Sequence, residues 1–160
     1  MQGQSRRPLR ERLTTRLAHI SFLLMRPMTL GVRAAVIDGD DRVLLIKHTY
    51  VAGWRLPGGG VEVGETAESA LKRELFEEAN VVLEAPPALH GLFLNAHASR
   101  RDHVAVYVAR RFRVTGERAP DREIVAARFF PRDALPPDAT RGTRARLDEI
   151  FGAAPISALW

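Results

Sequence analysis

Residues 66–79, "TAESALKRELFEEA", constrain what this chain can fold into more than any other stretch. Thr66 is a good helix N-cap and Glu68 puts an acid in the first turn, so the segment predicts a helix over about 67–79. At about 100° per residue, Ala67, Ala70, Leu71 and Leu75 share one side, where a core-facing stripe belongs. Glu74, Glu77 and Glu78 fall on that same side, within about 100° of one another. Carboxylates turned toward the body of a domain cost several kcal/mol per ion if left unpaired. Protonation or a cation repairs that cost. The (i, i+3, i+4) spacing predicts that the three carboxylates converge, and a hard divalent ion such as Mg²⁺ takes oxygen ligands and completes its shell with water and substrate phosphate. The plainer alternative is a solvated acidic face with Arg73 as an ordinary ion-pair partner.

The loop before this helix favours the cation. "LPGGGVEVGE" holds four glycines, and Gly58, Gly59 and Gly60 expose backbone amides and carbonyls to close approach. It lies close enough in sequence for its carbonyls to reach the carboxylates, and Glu65 at its end is placed to orient them or a water. A glycine loop alone is weak; combined with Glu65, Arg73 and three spaced carboxylates it becomes specific.

The rest of the chain narrows the function classes. There is no cysteine, which excludes disulfides, thiolate metal sites and a thiol nucleophile, so any metal is held by oxygen or imidazole. No apolar run approaches the roughly 20 residues that span a bilayer. The net charge of +5 invites a nucleic-acid reading, but residues 1–29 carry six Arg against Glu11 alone and the remainder is balanced. The basicity therefore belongs to an N-terminal arm. Within it, Leu13, Leu17, Ile20 and Leu24 predict a short amphipathic helix over about 10–25, packed on the domain or a second subunit, frayed, or lying on a membrane surface. "ISFLLM" is a short apolar run with no small-residue cleavage site behind it, which speaks against a cleaved signal and for a cytoplasmic location.

From residue 30 the pattern is α/β or α+β. "TLGVRAAVID" and "RVLLIKH" read as two strands joined at "GDD" in a hairpin, and "ALHGLFLN", "HVAVYVARRFRV" and "AARFF" read as further strands. Prolines 131, 136 and 137 lead to a last helix over about 140–151, and residues 152–160 form a C-terminal tail.

The spacing of these residues resembles the Nudix box, G-x5-E-x7-R-E-U-x-E-E-x-G-U with U a bulky aliphatic. It runs here from Gly59 through Glu65 and Arg73-Glu74-Leu75-Phe76-Glu77-Glu78 to Val81, with Asn80 in place of the last glycine. "WRLPGG" before it is also typical, and the strand order extends the resemblance over about residues 30–151. Asn tolerates the left-handed backbone that such a helix-end glycine adopts.

The resemblance implies a Nudix fold, a mixed sheet between helices, following the basic arm. It implies divalent-metal-dependent hydrolysis of a pyrophosphate bond in a nucleoside diphosphate linked to another moiety. Carried over by position, Glu74, Glu77, Glu78 and the Gly58 carbonyl become ligands of Mg²⁺ or Mn²⁺, Glu74 a candidate base, and Glu65 and Arg73 orienting groups. Glu123 sits where relatives place a further acidic ligand or base; its alternative is a surface loop acid. Trp54, Arg55, Tyr50, Gly59 and Gly60 are the substrate-contact candidates, with core or rim packing the alternative for Trp54 and Tyr50.

Subfamily markers are missing. Residues 96–99, Ala-His-Ala-Ser, have neither the proline of ADP-ribose enzymes nor the tyrosine of dinucleoside polyphosphate or coenzyme A classes. His97, Arg100, Arg101, Asp102 and His103 read as a substrate-facing cluster or as a solvated hairpin loop. Phe76, on the outer side of the helix, suits contact with the arm or with a second subunit, and homodimers are frequent in the family. Two other functions stay open: a catalytically silent nucleotide sensor, and an enzyme for RNA 5′ ends in which the arm supplies electrostatic affinity.

Overall fold

The computed structural model describes residues 21–22 and 25–160. Most of the N-terminal arm, including nearly all of its expected helix, lies outside the described residues. In chain order the elements are β1 (Thr29–Val36), β2 (Arg42–His48), β3 (Trp54–Arg55), α1 (Ala67–Ala79), β4 (Val81–Leu83), β5 (Ala88–Leu94), β6 (Asp102–Ala109), β7 (Phe112–Val114), β8 (Ile124–Pro131) and α2 (Arg141–Ile150). No described helix is long and apolar enough to cross a membrane.

The strands form a mixed sheet, β1-β6-β5, an antiparallel sheet, β3-β2-β8, and a β4-β7 ribbon. β1 runs parallel to β6, from Thr29 opposite Asp102 to Val36 opposite Ala109. β1 and β2 read as near-continuous apolar runs because both faces are covered. Val32, Ala34 and Val36 join Leu44 and Ile46 in one core cluster with Ala70, Leu71 and Leu75 of α1. Ala35 and Ile37 join Val43 and Leu45 in the other, with Leu147 of α2. The fold is thus α+β, with strands between two helical layers. Leu71 and Leu75 are fully buried, each contributing about 2 kcal/mol by transfer from water.

The expected β1–β2 hairpin is corrected. Only Ile37 and Val43 bridge across the turn, after which the strands enter different sheets. The edge of β1 that β2 would have used is taken by the glycine loop. Val32 N–H donates to Gly59 O (2.8 Å), Ala34 N–H to Pro57 O (2.9 Å) and Val61 N–H to Leu30 O (2.9 Å). The run 103–114 likewise breaks into β6 and β7. The turn after β5 is the solvated hairpin loop offered as one reading of residues 97–103, exposed over 96–101; Asp102 enters β6 and accepts from Thr29 Oγ1 and Asn95 Nδ2.

The C-terminal tail is docked. Leu159 bridges Leu94 of β5, and Arg146 Nη1 donates to Leu159 O (2.9 Å).

Candidate active site

Strapping the glycine loop to β1 sets it beside α1. Gly58 has φ +137°, and a Cβ there would collide with Val32 O of β1. At Gly59 a Cβ would meet the Glu74 carboxylate. The loop thus reaches both strand and helix at positions where only hydrogen fits. α1 starts at Thr66, whose hydroxyl accepts from Ser69 N–H while Ser69 Oγ accepts from Thr66 N–H, a capping box. It ends at Asn80, which is left-handed (φ 54°, ψ 32°) and returns its N–H to Phe76 O.

Between loop and helix lies a pocket of about 550 Å³. Glu74, Glu77, Glu78, Gly58 and Gly59 line one side, and Asp121 and Glu123 line the side built by the loop before β8. Arg33, His48, Tyr50 and Arg118 complete it.

The three helix carboxylates differ in environment. Glu78 is only 8% exposed. Its Oε2 accepts from Gly58 N–H (2.7 Å), and its Oε1 lies 3.4 Å from His48 Nε2. Burial pushes the Glu78 carboxyl up to about 7, with the Gly58 N–H and Arg33 opposing. Burial and the nearby Arg33 and Arg55 push His48 down, which weakens it as a counter-ion for Glu78. Glu74 accepts from Arg73 Nη1 (2.7 Å). Glu77 is largely exposed and receives the same Arg73 nitrogen at 3.4 Å. Arg73 also forks onto Glu65, Nε to Oε1 and Nη2 to Oε2, each 3.0 Å, and reaches Gly60 O at 3.1 Å. These bonds, with the Glu62 N–H, hold the Glu65 carboxyl at about 2, and its pairing with Glu65 and Glu74 raises Arg73 above its ordinary value.

The carboxylates share a pocket but do not close into a cage. Among the described residues no three acidic or imidazole side chains gather tightly enough to hold an ion unaided. Arg73 draws Glu74 and Glu77 to its side, and the Gly58 amide holds Glu78. The Gly58 carbonyl, expected as a ligand, accepts from Arg33 Nη1. Even so, the donors are all oxygen, one is a buried carboxyl held by a backbone N–H, and the space between them is open. That chemistry fits a hard divalent cation whose remaining positions are filled by water or phosphate.

Of the other expected site residues, Tyr50 is exposed at the rim, 5.1 Å from the His48 ring. Gly60 lies outside the pocket. Trp54 is 8% exposed, packed edge-on against Phe130 in the second core cluster. Arg55 lines two neighbouring cavities instead.

Sequence reasoning missed Arg33, His48, Arg118 and Asp121. Arg33 had a signal: a lone cation inside an apolar strand must find partners, and it donates to Leu56 O (3.1 Å) and Gly58 O. Arg118 had none. It donates to Glu77 O (2.8 Å) and pairs with Asp121, a contact that only the fold creates.

A NUDIX domain family model matches residues 27–149. The chain is 33% identical over 104 residues to an ADP-ribose pyrophosphatase of Methanocaldococcus jannaschii, a match covering 63% of this chain and 61% of that protein. It is 45% identical over 51 residues to an RNA pyrophosphohydrolase of Sodalis glossinidius, covering 32% of this chain and 29% of the relative. The matches thus span less than two thirds of these relatives' lengths. A crystal structure of a MutT NUDIX hydrolase from Burkholderia pseudomallei aligns with TM-score 0.66 and 30% identity, covering 76% of this chain and 97% of that one.

Proposed function

Because the chain belongs to the Nudix family, we propose that it hydrolyses a pyrophosphate bond in a small nucleoside diphosphate derivative, with Mg²⁺ or Mn²⁺ as cofactor. The observation that carries this reading is the junction of loop and helix: Gly58 and Gly59 against Glu74, Glu77 and Glu78, facing Glu123 across one pocket. The relatives named for pyrophosphatase activity support it.

Glu74, Glu77, Glu78 and Glu123, with the Gly58 carbonyl, would hold the cations. Divalent ions there supply charge neutralisation for the phosphates and a lower pKa for a bound water. The chain's own residues do the positioning. Arg73 fixes the rotamers of Glu65 and Glu74 through charge-assisted bonds. The Gly58 N–H turns Glu78 into the pocket. Arg33 braces the loop from below through the Leu56 and Gly58 carbonyls. Glu74 is the proposed base, taking the proton of the attacking water. Glu123 on the opposite wall is its rival, and the kcat–pH profile of Glu123→Gln separates them: an unchanged acid limb keeps the role with Glu74.

The test is product release from a panel of nucleoside triphosphates and their oxidised forms, ADP-ribose, NADH, nucleotide sugars and dinucleoside polyphosphates. The wild type turns over at least one, and EDTA or Glu77→Gln removes that turnover. A folded, metal-binding protein inert across the panel would overturn the reading. The likeness to RNA pyrophosphohydrolases favours a second substrate class, triphosphorylated RNA. On that reading deleting residues 1–29 removes RNA activity and its salt dependence while small-nucleotide turnover survives.

A further inference from the structure

Shared lining residues relate the acidic pocket to two further cavities. A second cavity of about 800 Å³ opens between the β5–β6 turn, the start of α2 and the C-terminal residues. A third, small space has a volume of about 80 Å³. It shares Arg33 with the acidic pocket, and Arg55, Asn95, Thr140 and Trp160 with the larger cavity. Trp160 lines both the small space and the larger cavity. At the same junction Arg55 Nε is buried without a hydrogen-bond partner.

Trp160 is held in place by a buried latch. Its N–H donates to Leu94 O (3.0 Å), and Leu94 N–H donates to Ala158 O (3.0 Å). Ser157 N–H donates to Glu149 Oε1 (2.9 Å). Glu149 in turn accepts from Arg146 Nη2 (2.6 Å) and lies 3.0 Å from His90 Nε2. Arg146, only 2% exposed, sets its guanidinium 3.9 Å from the Phe93 ring centre and 5.6 Å from that of Trp160. Phe93 meets the indole edge-on at 6.2 Å. An aromatic wall fixed this firmly has lost its conformational freedom before any ligand arrives, which is what efficient stacking requires.

We infer that Trp160 is a specificity-determining residue: its indole is the wall against which the planar base of the nucleotide lies while the pyrophosphate occupies the acidic pocket. Arg55 is the donor placed toward the edge of that base, with Asn95 beside it. The size of the larger cavity suits such a group. The inference rests on the hydrolase reading, yet Trp160 falls outside the residues that the family model matches. Of the chain's two tryptophans it is this one, not the core residue Trp54, that lines a cavity.

Gly142 supplies an independent handle. A Cβ there would stand 2.7 Å from Trp160 Nε1, and the backbone has no positive φ. Gly142→Ala should therefore favour α2 while displacing the indole. Binding of ADP, GDP, CDP, UDP and inorganic pyrophosphate, each with Mg²⁺, is measured by calorimetry and tryptophan fluorescence on wild type, Trp160→Phe, Trp160→Ala and Gly142→Ala. At least one nucleoside diphosphate should change wild-type fluorescence, where pyrophosphate does not. Its Kd should rise about tenfold in Trp160→Ala and Gly142→Ala, the usual effect of losing one base-stacking aromatic. Trp160→Phe should keep most of the affinity and lose the signal, and pyrophosphate should bind all four proteins alike. A nucleoside diphosphate Kd unchanged in Trp160→Ala and Gly142→Ala, or an equal fluorescence response to pyrophosphate, would overturn the assignment alone. If no nucleoside diphosphate binds the wild type, the hydrolase reading falls with it.

Discussion

At Gly59 a side chain and the Glu74 carboxylate compete for one volume. The backbone there has no positive φ, so alanine is conformationally acceptable, and its methyl group displaces Glu74. Gly59→Ala should therefore lower kcat about 100-fold, the scale expected when a reacting group shifts by about 1 Å. Its thermal midpoint should stay within a few degrees of wild type; a large fall with proportionate activity loss would mean that the glycine serves the fold instead. Glu65 gives a pH prediction. Its carboxyl drops from an ordinary 4.5 to about 2 on folding, chiefly through Arg73. A depressed carboxyl contributes stability that is complete above 4.5 and lost as pH falls toward 2. Urea midpoints of the metal-free protein should fall more steeply across that window for wild type than for Glu65→Gln. Parallel curves would remove Glu65 as the cause.

The elements show how a departure from the family pattern is absorbed. Asn80 takes the left-handed backbone at the end of α1, and its side-chain amide then does what glycine cannot. Nδ2 donates to Gly116 O (3.3 Å) and Glu117 O (3.2 Å), tying down the loop that carries Arg118 and Asp121 to the pocket. Asn80→Gly relieves the backbone but loses two hydrogen bonds, each a net contribution of about 1 kcal/mol. The variant should lose about 1 kcal/mol of stability and raise KM, with kcat little changed; a more stable protein with unaltered KM would show that the loop holds itself. α1 is legible in the sequence because cap, aliphatic stripe and carboxylates occupy one short segment with a helical period. The β1–β2 hairpin misleads because turn residues announce a reversal but not which edge each strand will use. The glycine loop claims that edge, and nothing local to either strand says so.

Across the whole molecule, the wall that carries the box is legible, while of the rest of the pocket lining only Glu123 and Tyr50 are. Gly58, Gly59, Glu74, Glu77 and Glu78 come from one run of sequence whose spacing is itself the signal. Arg33, His48, Arg118 and Asp121 come from three separated segments and acquire their meaning only when β1, β2 and the loop before β8 are brought together. Trp160 is further still from any motif. The docked tail places it, and a terminal aromatic carries no periodicity that could announce it.

The parallel pairing of β1 with β6 has a consequence for how the protein is made. Thr29 waits for Asp102 and Val36 for Ala109, and the glycine loop hangs on β1. A nascent chain that has just released Val81 from the ribosome owns every residue of the box and yet has no pocket. Residues are added at about 5–20 per second, so this interval lasts seconds, during which the six glutamates between Gly59 and Val81 and an apolar strand edge stand unassembled. Non-local pairing of this kind folds slowly. In refolding of Trp160→Phe from denaturant, where Trp54 is the remaining tryptophan, activity should therefore return with the same rate constant as the burial of Trp54, followed by its fluorescence; activity preceding that burial would mean the box organises itself without its sheet. The box is thus written early in the message and becomes a pocket only late in its reading.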